Sequence, residues 1–516
     1  MHLSKNGLKV YFFSYLVNQD IKFNIMKRLN SYLYFKLQLL IGVIVILSTS
    51  CEKNLEPVVY DKFSNSTFFK TTEDAEAAVT ATYRGIQLYH TASNSGDSYF
   101  IQSHLSTGEL ITNYVGGGIP YTNCDYREDD QQLYQFYLLG MPIVTEVTID
   151  IDKISQMKIE DNLKNRLIAE LTAIRAYVSH MLYNIYGPVP IRIDPKVAGD
   201  PSSTAIPRPT SEWMVAQIEK DYEDAAAVLP TSYSGSDYGR ITKGACLTGL
   251  MKLYIKEKRW ADAITIGEQI KSLGYQLIPN YGDNFSYKSK EGNSELILVI
   301  PARVDCNSNG WLERTMPPSY IDPTGAFLPM DGYNCMPWPT YDKFDQNDKR
   351  LERLLAKWPT IGGAILDGRA SGYAGAIPMK YAPDPTTITK QQGVDEVIWR
   401  YADVMLLLAE AINETQGPTD EAYSLINAVR NRAGLNGYSL GTLDKDQFRS
   451  KIMDERLFEL WCEDGIRKED MIRWGTWIQF VKDNGSTVVK PEFILYPLPR
   501  SVISQSNGLI VQNPGY

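Results

Sequence analysis

Trp399-Arg400-Tyr401-Ala402-Asp403-Val404-Met405-Leu406-Leu407-Leu408-Ala409-Glu410-Ala411 is followed, after a short break, by a second periodic segment over 422–433. Val404, Leu407, Leu408 and Ala411 fall at i, i+3, i+4 and i+7, and so do Ala422, Leu425, Ile426 and Val429. That spacing puts each set on one side of a 3.6-residue helix and predicts two helices that each bury a stripe. The break is Gln416-Gly417-Pro418-Thr419-Asp420. Glycine and proline end the first helix and Thr419 or Asp420 caps the second, so the pair reads as an antiparallel helical hairpin.

A third helix is expected over 446–463, with Met453, Leu457, Leu460 and Trp461 on one face, leading into Asp464-Gly465-Ile466-Arg467-Lys468-Glu469-Asp470-Met471-Ile472-Arg473-Trp474-Gly475. The order of pieces is distinctive. It runs from an Arg400-Tyr401-Ala402-Asp403 helix through Asn427-Ala428-Val429-Arg430-Asn431-Arg432 and Glu455-Arg456-x-x-Glu459-Leu460 to an Arg467-x-x-Asp470-x-x-Arg473-Trp474 turn. Pro497-Leu498-Pro499 and a closing Gln512-Asn513-Pro514-Gly515-Tyr516 complete it. This succession resembles the SusD/RagB family, surface lipoproteins that hand nutrients to outer-membrane transporters in Bacteroidetes-type bacteria. Upstream, Leu167-Ile168-Ala169-Glu170-Leu171-Thr172-Ala173-Ile174-Arg175-Ala176-Tyr177, Tyr186-Gly187-Pro188-Val189-Pro190 and Phe68-Phe69-Lys70-Thr71-Thr72-Glu73-Asp74-Ala75 are similar to the same family. One departure stands out. Where the family reads Glu-Gly-x-Arg-aromatic, this chain has Glu463-Asp464-Gly465-Ile466-Arg467-Lys468, either with one extra residue or with Asp in place of Glu.

Leu167, Leu171, Ile174, Val178 and Leu182 form a further stripe, as do Leu247, Leu250, Met251 and Tyr254, and Ala263, Ile266, Ile270 and Leu273. Such hairpins cannot bury their apolar faces alone and have to stack. The turn Arg259-Trp260-Ala261-Asp262-Ala263 looks tetratricopeptide-like. The resemblance implies a mostly α fold of four degenerate repeats of this kind, with long irregular loops and a few short strands, over residues 71–516. Residues 275–395, rich in Gly, Pro, Asn and aromatics and carrying a strand-like Glu295-Leu296-Ile297-Leu298-Val299-Ile300, interrupt the helices as a loop-rich insert.

The N-terminus reads as a leader over 1–50, with Met26 as an alternative start: Lys27, Arg28 and Lys36 precede an eleven-residue apolar run over 37–47, too short to span a bilayer. Ser48-Thr49-Ser50-Cys51 follows, so Cys51 is the expected lipidation site and 51–70 the tether. Removing residues 1–50 takes away six Lys+Arg and one Asp, so 52 − 6 = 46 basic and 61 − 1 = 60 acidic residues remain, a net charge of −14. That balance argues against nucleic acid as a partner. Cys124, Cys246, Cys306, Cys335 and Cys462 show no CxxC. Cys246 and Cys462 lie in helical patterns and read as small core residues, whereas Cys124, Cys306 and Cys335 lie in loop-like sequence, where an exported protein could pair two of them.

Catalytic signatures are missing. There is no HExxH pair and no G-x-S-x-G elbow, and Ala245 stands where a phosphate loop needs Lys. Asp305-Cys306-Asn307-Ser308-Asn309-Gly310 begins like a calcium loop but has Met316 at position twelve, so it reads as a turn. Neither metal nor cofactor is expected. The positive signal is aromatic, with 33 Tyr and 9 Trp and a cluster in the insert that includes Tyr341 and Tyr373. The apolar faces of a sugar suit flat rings with polar neighbours, and peptides can use the same surface. Trp311, Tyr320, Tyr333 and Trp338 of the insert, with Tyr114, Tyr121 and Tyr126 of a second glycine-rich loop over 108–130, are the candidate ligand-binding residues. The resemblance implies a non-enzymatic, lipid-anchored protein of the outer membrane, facing the exterior. It would bind a glycan and pass it to a SusC-like TonB-dependent transporter, with the helical face docked on the barrel. An oligopeptide-binding relative and a glycan-degrading surface enzyme are the alternatives.

Overall fold

The computed structural model describes residues 68–91, 99–113, 118–127, 130–200, 202, 204–305, 307–323, 332, 334–360, 362–386 and 392–516. The expected leader, Cys51 and nearly all of the expected tether lie outside these residues, as do Tyr114, Cys306 and Tyr333. Among the described residues no helix is long and apolar enough to cross a membrane.

Helices dominate. After α1 (Thr72–Thr82) come α2 (Gln131–Ser155), α3 (Asp161–Tyr186), α4 (Ser211–Val228), α5 (Lys243–Lys256) and α6 (Trp260–Ser272), then α7 (Tyr401–Gln416), α8 (Asp420–Arg432), α9 (Lys445–Leu460) and α10 (Ile466–Arg473). From α2 to α8 every helix packs on the next, and α9 folds back onto α7. The result is the tetratricopeptide-like stack of helical hairpins expected from the repeated stripes. Leu167, Leu171, Ile174, Val178 and Leu182 are fully buried between α2 and α4. Caps fall where the sequence puts them: Thr71 and Asp74 form a capping box at α1. Gly417 ends α7 at a φ of 82°, a conformation glycine adopts without strain, and the Thr419 hydroxyl accepts from the Ala422 amide at the start of α8.

Two expectations change. The spacing predicts one buried stripe on α7, yet every residue of it from Tyr401 to Asn413 is buried, because α5, α6, α8 and α9 surround it. Helix α9 stops at Leu460; Leu457, Leu460 and the following Trp461 are buried as expected, but Phe448, Ile452, Glu455, Arg456 and Glu459 share the buried face and Met453 is only half-buried. Cys462, Asp464 and Gly465 then take positive φ values, so the departure from the family pattern is built as a tight left-handed corner.

The insert joins the stack where α6 hands over to α7, two helices that pack together although residues 273–400 separate them. Its base is the ladder of β2 (Leu296–Ile300) and β8 (Glu396–Arg400), antiparallel and irregular in register near Leu298, and β8 runs straight into α7. In a second sheet, β1 (Ile111–Thr112), β3 (Asn334–Pro337), β7 (Gly375–Pro378) and β4 (Leu354–Leu355) pair in the order β1-β3-β7-β4. A separate hairpin pairs β5 (Lys357–Pro359) with β6 (Ile365–Asp367).

The family-like motifs are held by ion pairs, most of them buried. Arg400 donates to Glu463 through Nε at 2.7 Å, to Glu295 through Nη1 at 2.8 Å, and to Glu459. Arg350 reaches Asp348 at 2.7 Å, Glu455 at 2.7 Å and Glu459 at 3.0 Å. Arg432 reaches Glu295 and Glu459, Arg430 reaches Glu455, and Lys380 reaches Glu463 at 2.6 Å. Five cations thus face five carboxylates in one knot, and only Arg430 and Arg432 retain any appreciable exposure. Burial works against the charge on Glu459, but Arg432, Arg400 and Arg350 outweigh it and hold its carboxyl far below the usual range. A second cluster ties the Asp403 of α7 to Arg456 at 2.8 Å, Arg456 to Asp470 at 2.7 Å, and Arg473 to Asp470 and Glu410. Upstream, Glu170 takes Arg166, Arg240 and Tyr83, and Arg175 grips Asp221 with two bonds of 2.8 Å. The closing Asn513 donates to the carbonyls of Tyr186 and Tyr496 at 2.9 and 2.8 Å, which binds the C-terminal motif to the Tyr186-Gly187-Pro188 corner.

Candidate functional site

The site is built on β3 and the single turn that follows it. β3 lies so close to β7 that a Cβ on Gly375 would meet the Met336 carbonyl oxygen at 1.9 Å, so only glycine fits there. The chain leaves β3 at Pro337 and enters a one-turn helix, Trp338–Tyr341, whose two aromatic residues meet edge to face with centroids 5.6 Å apart. Trp338 is fixed by its indole N–H, which donates to the Tyr373 carbonyl at 2.7 Å. Tyr373 in turn packs edge to face on Trp358 of β5, at 4.9 Å. Trp358 is buried and donates to the Ser319 hydroxyl at 3.1 Å, while Ser319 and the Tyr373 hydroxyl share a bond of 3.2 Å. Three half-buried rings are therefore linked as a shelf: Trp338 meets Tyr341 and bonds the Tyr373 backbone, and Tyr373 rests on the buried Trp358.

Charge borders the shelf. The Arg369 guanidinium lies 4.2 Å from the centre of the Trp338 ring and donates to Asp342 at 2.6 and 3.3 Å. About half of each of these two side chains is exposed, 51% and 53%, so the pair contributes little to stability and can exchange partners cheaply. Burial raises the Tyr341 phenol above its ordinary value, with Arg369 opposing, so this hydroxyl stays a neutral donor at pH 7. Flat ring faces beside a guanidinium, a carboxylate and hydroxyls suit a polyhydroxylated ligand with apolar C–H faces. Among the described residues no His, Cys, Asp and Glu side chains gather as a metal would require.

Of the five candidate residues that are described, one, Trp338, belongs to this cluster. Trp311, 4% exposed, donates to the Pro378 carbonyl at 2.7 Å inside the insert, and Tyr320, 3% exposed, packs toward Met379. Tyr121 and Tyr126 are 2% and 6% exposed; the first donates to Asp130, and the second packs on Tyr496 and accepts from Lys468. Rings this enclosed offer no face to a ligand and pin loops to the core instead. Tyr341 and Tyr373, noticed in the sequence as part of the cluster, are the rings that join Trp338. Arg369 and Asp342 were missed, since nothing in a loop sequence reports that residues 27 apart meet. The two candidate loops do converge, since Ile111 and Thr112 are register partners of Cys335 and Asn334. Cys124 and Cys335 are free thiols, which removes that pairing.

Comparison with known proteins is consistent along the chain. Residues 363–516 match the model described as the SusD family, and residues 60–255 match one described as "Starch-binding associating with outer membrane". The SusD-like protein P25 of Formosa agariphila is 24% identical over 93% of this chain and 99% of its own length. A SusD-like protein of Bacteroides ovatus is 24% identical over 86% of this chain and 83% of its own. Among solved structures, a laminarin-binding SusD-like protein superposes with a TM-score of 0.72 at 22% identity, covering 87% of this chain and all of that one. Surface glycan-binding protein A from Bacteroides thetaiotaomicron, in complex with laminarihexaose, gives a TM-score of 0.70 at 20% identity, covering 86% of this chain and 100% of that one. At these identities the structural likeness is one of fold.

Proposed function

This chain is a SusD/RagB-like protein, and from that premise we propose that it captures a glycan at the outer surface of the cell and passes it to a TonB-dependent outer-membrane transporter. The observation that carries the binding step is the aromatic shelf of Trp338, Tyr341 and Tyr373 with Arg369 and Asp342 at its border. Stacking on the rings supplies affinity and the charged rim hydrogen-bonds hydroxyls; no bond in the sugar needs to be broken for either task. Acylation of Cys51 tethers the chain to the outer membrane facing outward, and the lipid confines it beside its SusC-like partner, so a modest interface between them is well populated. In this reading the helical stack faces the barrel and the insert closes over the ligand.

The relatives named for laminarin make it the first ligand to test. Affinity electrophoresis in laminarin and calorimetry with laminarihexaose would compare the wild-type chain with Trp338→Ala. The variant is expected to bind about 1–3 kcal/mol more weakly with its fold intact. Equal affinity would remove the shelf from the binding surface, and release of shorter saccharides in the same tubes would replace the binder with an enzyme. For the transfer step, purification of the lipidated chain from membranes of cells grown on the ligand should bring a large barrel protein with it. Its absence would sink that half of the proposal.

A further inference from the structure

Away from the insert, α3, α5, α7, α9 and α10 enclose a cavity of about 310 Å³ that opens between the start of α4 and the segment around Ile494. That volume lies at the lower end of the range for small-molecule sites. Its wall is unusual in two respects. Lys256, half-buried on α5, holds its ammonium 4.9 Å from the centre of the Tyr183 ring; Glu469 and Glu257 favour its charge from a distance, but among the described residues it forms no ion pair. The neighbouring Glu257 is already engaged by the Tyr183 hydroxyl at 3.0 Å. Second, the Asn184 side chain donates to Glu469 at 2.9 Å, but its own carbonyl oxygen is buried with no donor. A half-buried lysine outside any ion pair and a buried acceptor without its donor both carry a desolvation cost that a ligand can relieve.

The rest of the cavity explains what could satisfy them. Lys252 stands 3.5 Å from Asp403 and 3.9 Å from Glu469, a loose arrangement with donor capacity left over. Arg456 and Arg473 are locked on Asp470 behind it, so the polar wall is rigid. Ile255, Leu407, Ile472 and Leu495 also line it and suit a C–H surface. We propose that this cavity is a binding site for a small hydroxycarboxylate, of which a uronic acid is the sugar form. The carboxylate meets Lys256 and Lys252, and a hydroxyl donates to the Asn184 oxygen. The same chemistry is offered by a free uronic acid and by the terminal unit of an acidic oligosaccharide. The site is separate from the aromatic shelf and does not depend on what that shelf binds.

Ligand-observed NMR titration of the full chain with sodium D-glucuronate tests it, with D-glucose as the uncharged control and a glucuronate-terminated disaccharide as the second source. Glucuronate should bind and glucose should not. Lys256→Met, which keeps the apolar stem, should weaken glucuronate about tenfold or more, while Trp338→Ala leaves it unchanged. Ser211→Trp, placed at the mouth and outside the ion-pair network, should block entry and serves where Lys256→Met is unstable. Tighter binding of the disaccharide assigns the site to chain ends; equal or weaker binding assigns it to the free acid. Failure of glucuronate to bind the folded wild-type chain, or binding that survives both cavity variants, overturns the proposal.

Discussion

Replacing Glu459 by Gln tests how the scaffold is held together. Its carboxylate is fully buried and accepts from three guanidinium groups: Arg350 at 3.0 Å, Arg400 and Arg432. After the change Arg350 keeps Asp348 and Glu455, and Arg400 keeps Glu295 and Glu463, but Arg432 keeps only Glu295. The knot is then left with one uncompensated cation, and the new amide turns N–H donors toward other donors. Breaking a buried pair in this way costs about 3–5 kcal/mol, a large part of the roughly 5–15 kcal/mol that holds a domain folded. Urea unfolding followed by circular dichroism should show a lower midpoint at unchanged slope. Asp224→Asn, which breaks an exposed pair with Lys220, is the reference and should cost under about 1 kcal/mol. A second variant combining Glu459→Gln with Arg432→Gln restores charge balance and should recover part of the loss. The pH dependence has a definite sign. Because the Glu459 carboxyl is held below its ordinary value, its contribution is complete above that ordinary value and is lost only as pH falls through the depressed one, so it stays constant from pH 6 to 8. A cost for Glu459→Gln no greater than that for Asp224→Asn would refute the reasoning.

Three further outcomes follow from the geometry. Trp311→Ala should lower stability by about 3–5 kcal/mol through the cavity it opens, with ligand affinity per folded molecule unchanged; a selective loss of affinity in calorimetry would restore it to the binding surface. Lys468, buried against the hydroxyls of Tyr126 and Tyr496, is pulled down to about 8 by burial. Between that value and the ordinary 10.5 the unfolded chain holds the proton more firmly, so this lysine makes stability rise with pH by up to about 1.4 kcal/mol per unit. Lys468→Met should flatten the difference between urea midpoints at pH 8 and 9.5, and an unchanged difference would contradict the assignment. If Cys51 carries the proposed lipid anchor, Cys51→Ala should leave a folded chain in the soluble fraction, and retention on membranes after a salt wash would refute that.

The helical part of the fold was readable because burial on a helix leaves a period, and the stripes of α3, α5, α6, α7 and α8 all reached the core. The strength of that signal also misled. In α7 it marked one side of a helix that is enclosed on all sides, and in α9 it drew attention to Met453 while the buried face was half ionic. Glu455, Arg456 and Glu459 look in sequence like a solvated stretch, since their partners Arg350, Asp403 and Arg400 come from distant segments. The family-like motifs were thus legible as motifs but not as an ion-pair framework. In the insert no period exists, so exposure could not be separated from composition. Trp311 and Trp338 read alike, and only the fold distinguishes a ring donating in the core from one on a shelf.

The insertion point between α6 and α7 has an evolutionary consequence. Because the chain departs through β2 and returns through β8, the intervening segment can be exchanged as a cassette with both junctions inside one antiparallel ladder. Such a cassette is not electrically neutral where it touches its host. This one delivers Asp348, Arg350 and Lys380 to the buried knot, one negative and two positive groups, and the recipient offers Glu295, Glu455, Glu459 and Glu463 against Arg400, Arg430 and Arg432. A donor that lacks the surplus cation would leave its host with an unneutralised carboxylate at the centre. Exchange of this segment is therefore constrained by charge at its root, where Asp348, Arg350 and Lys380 enter the knot.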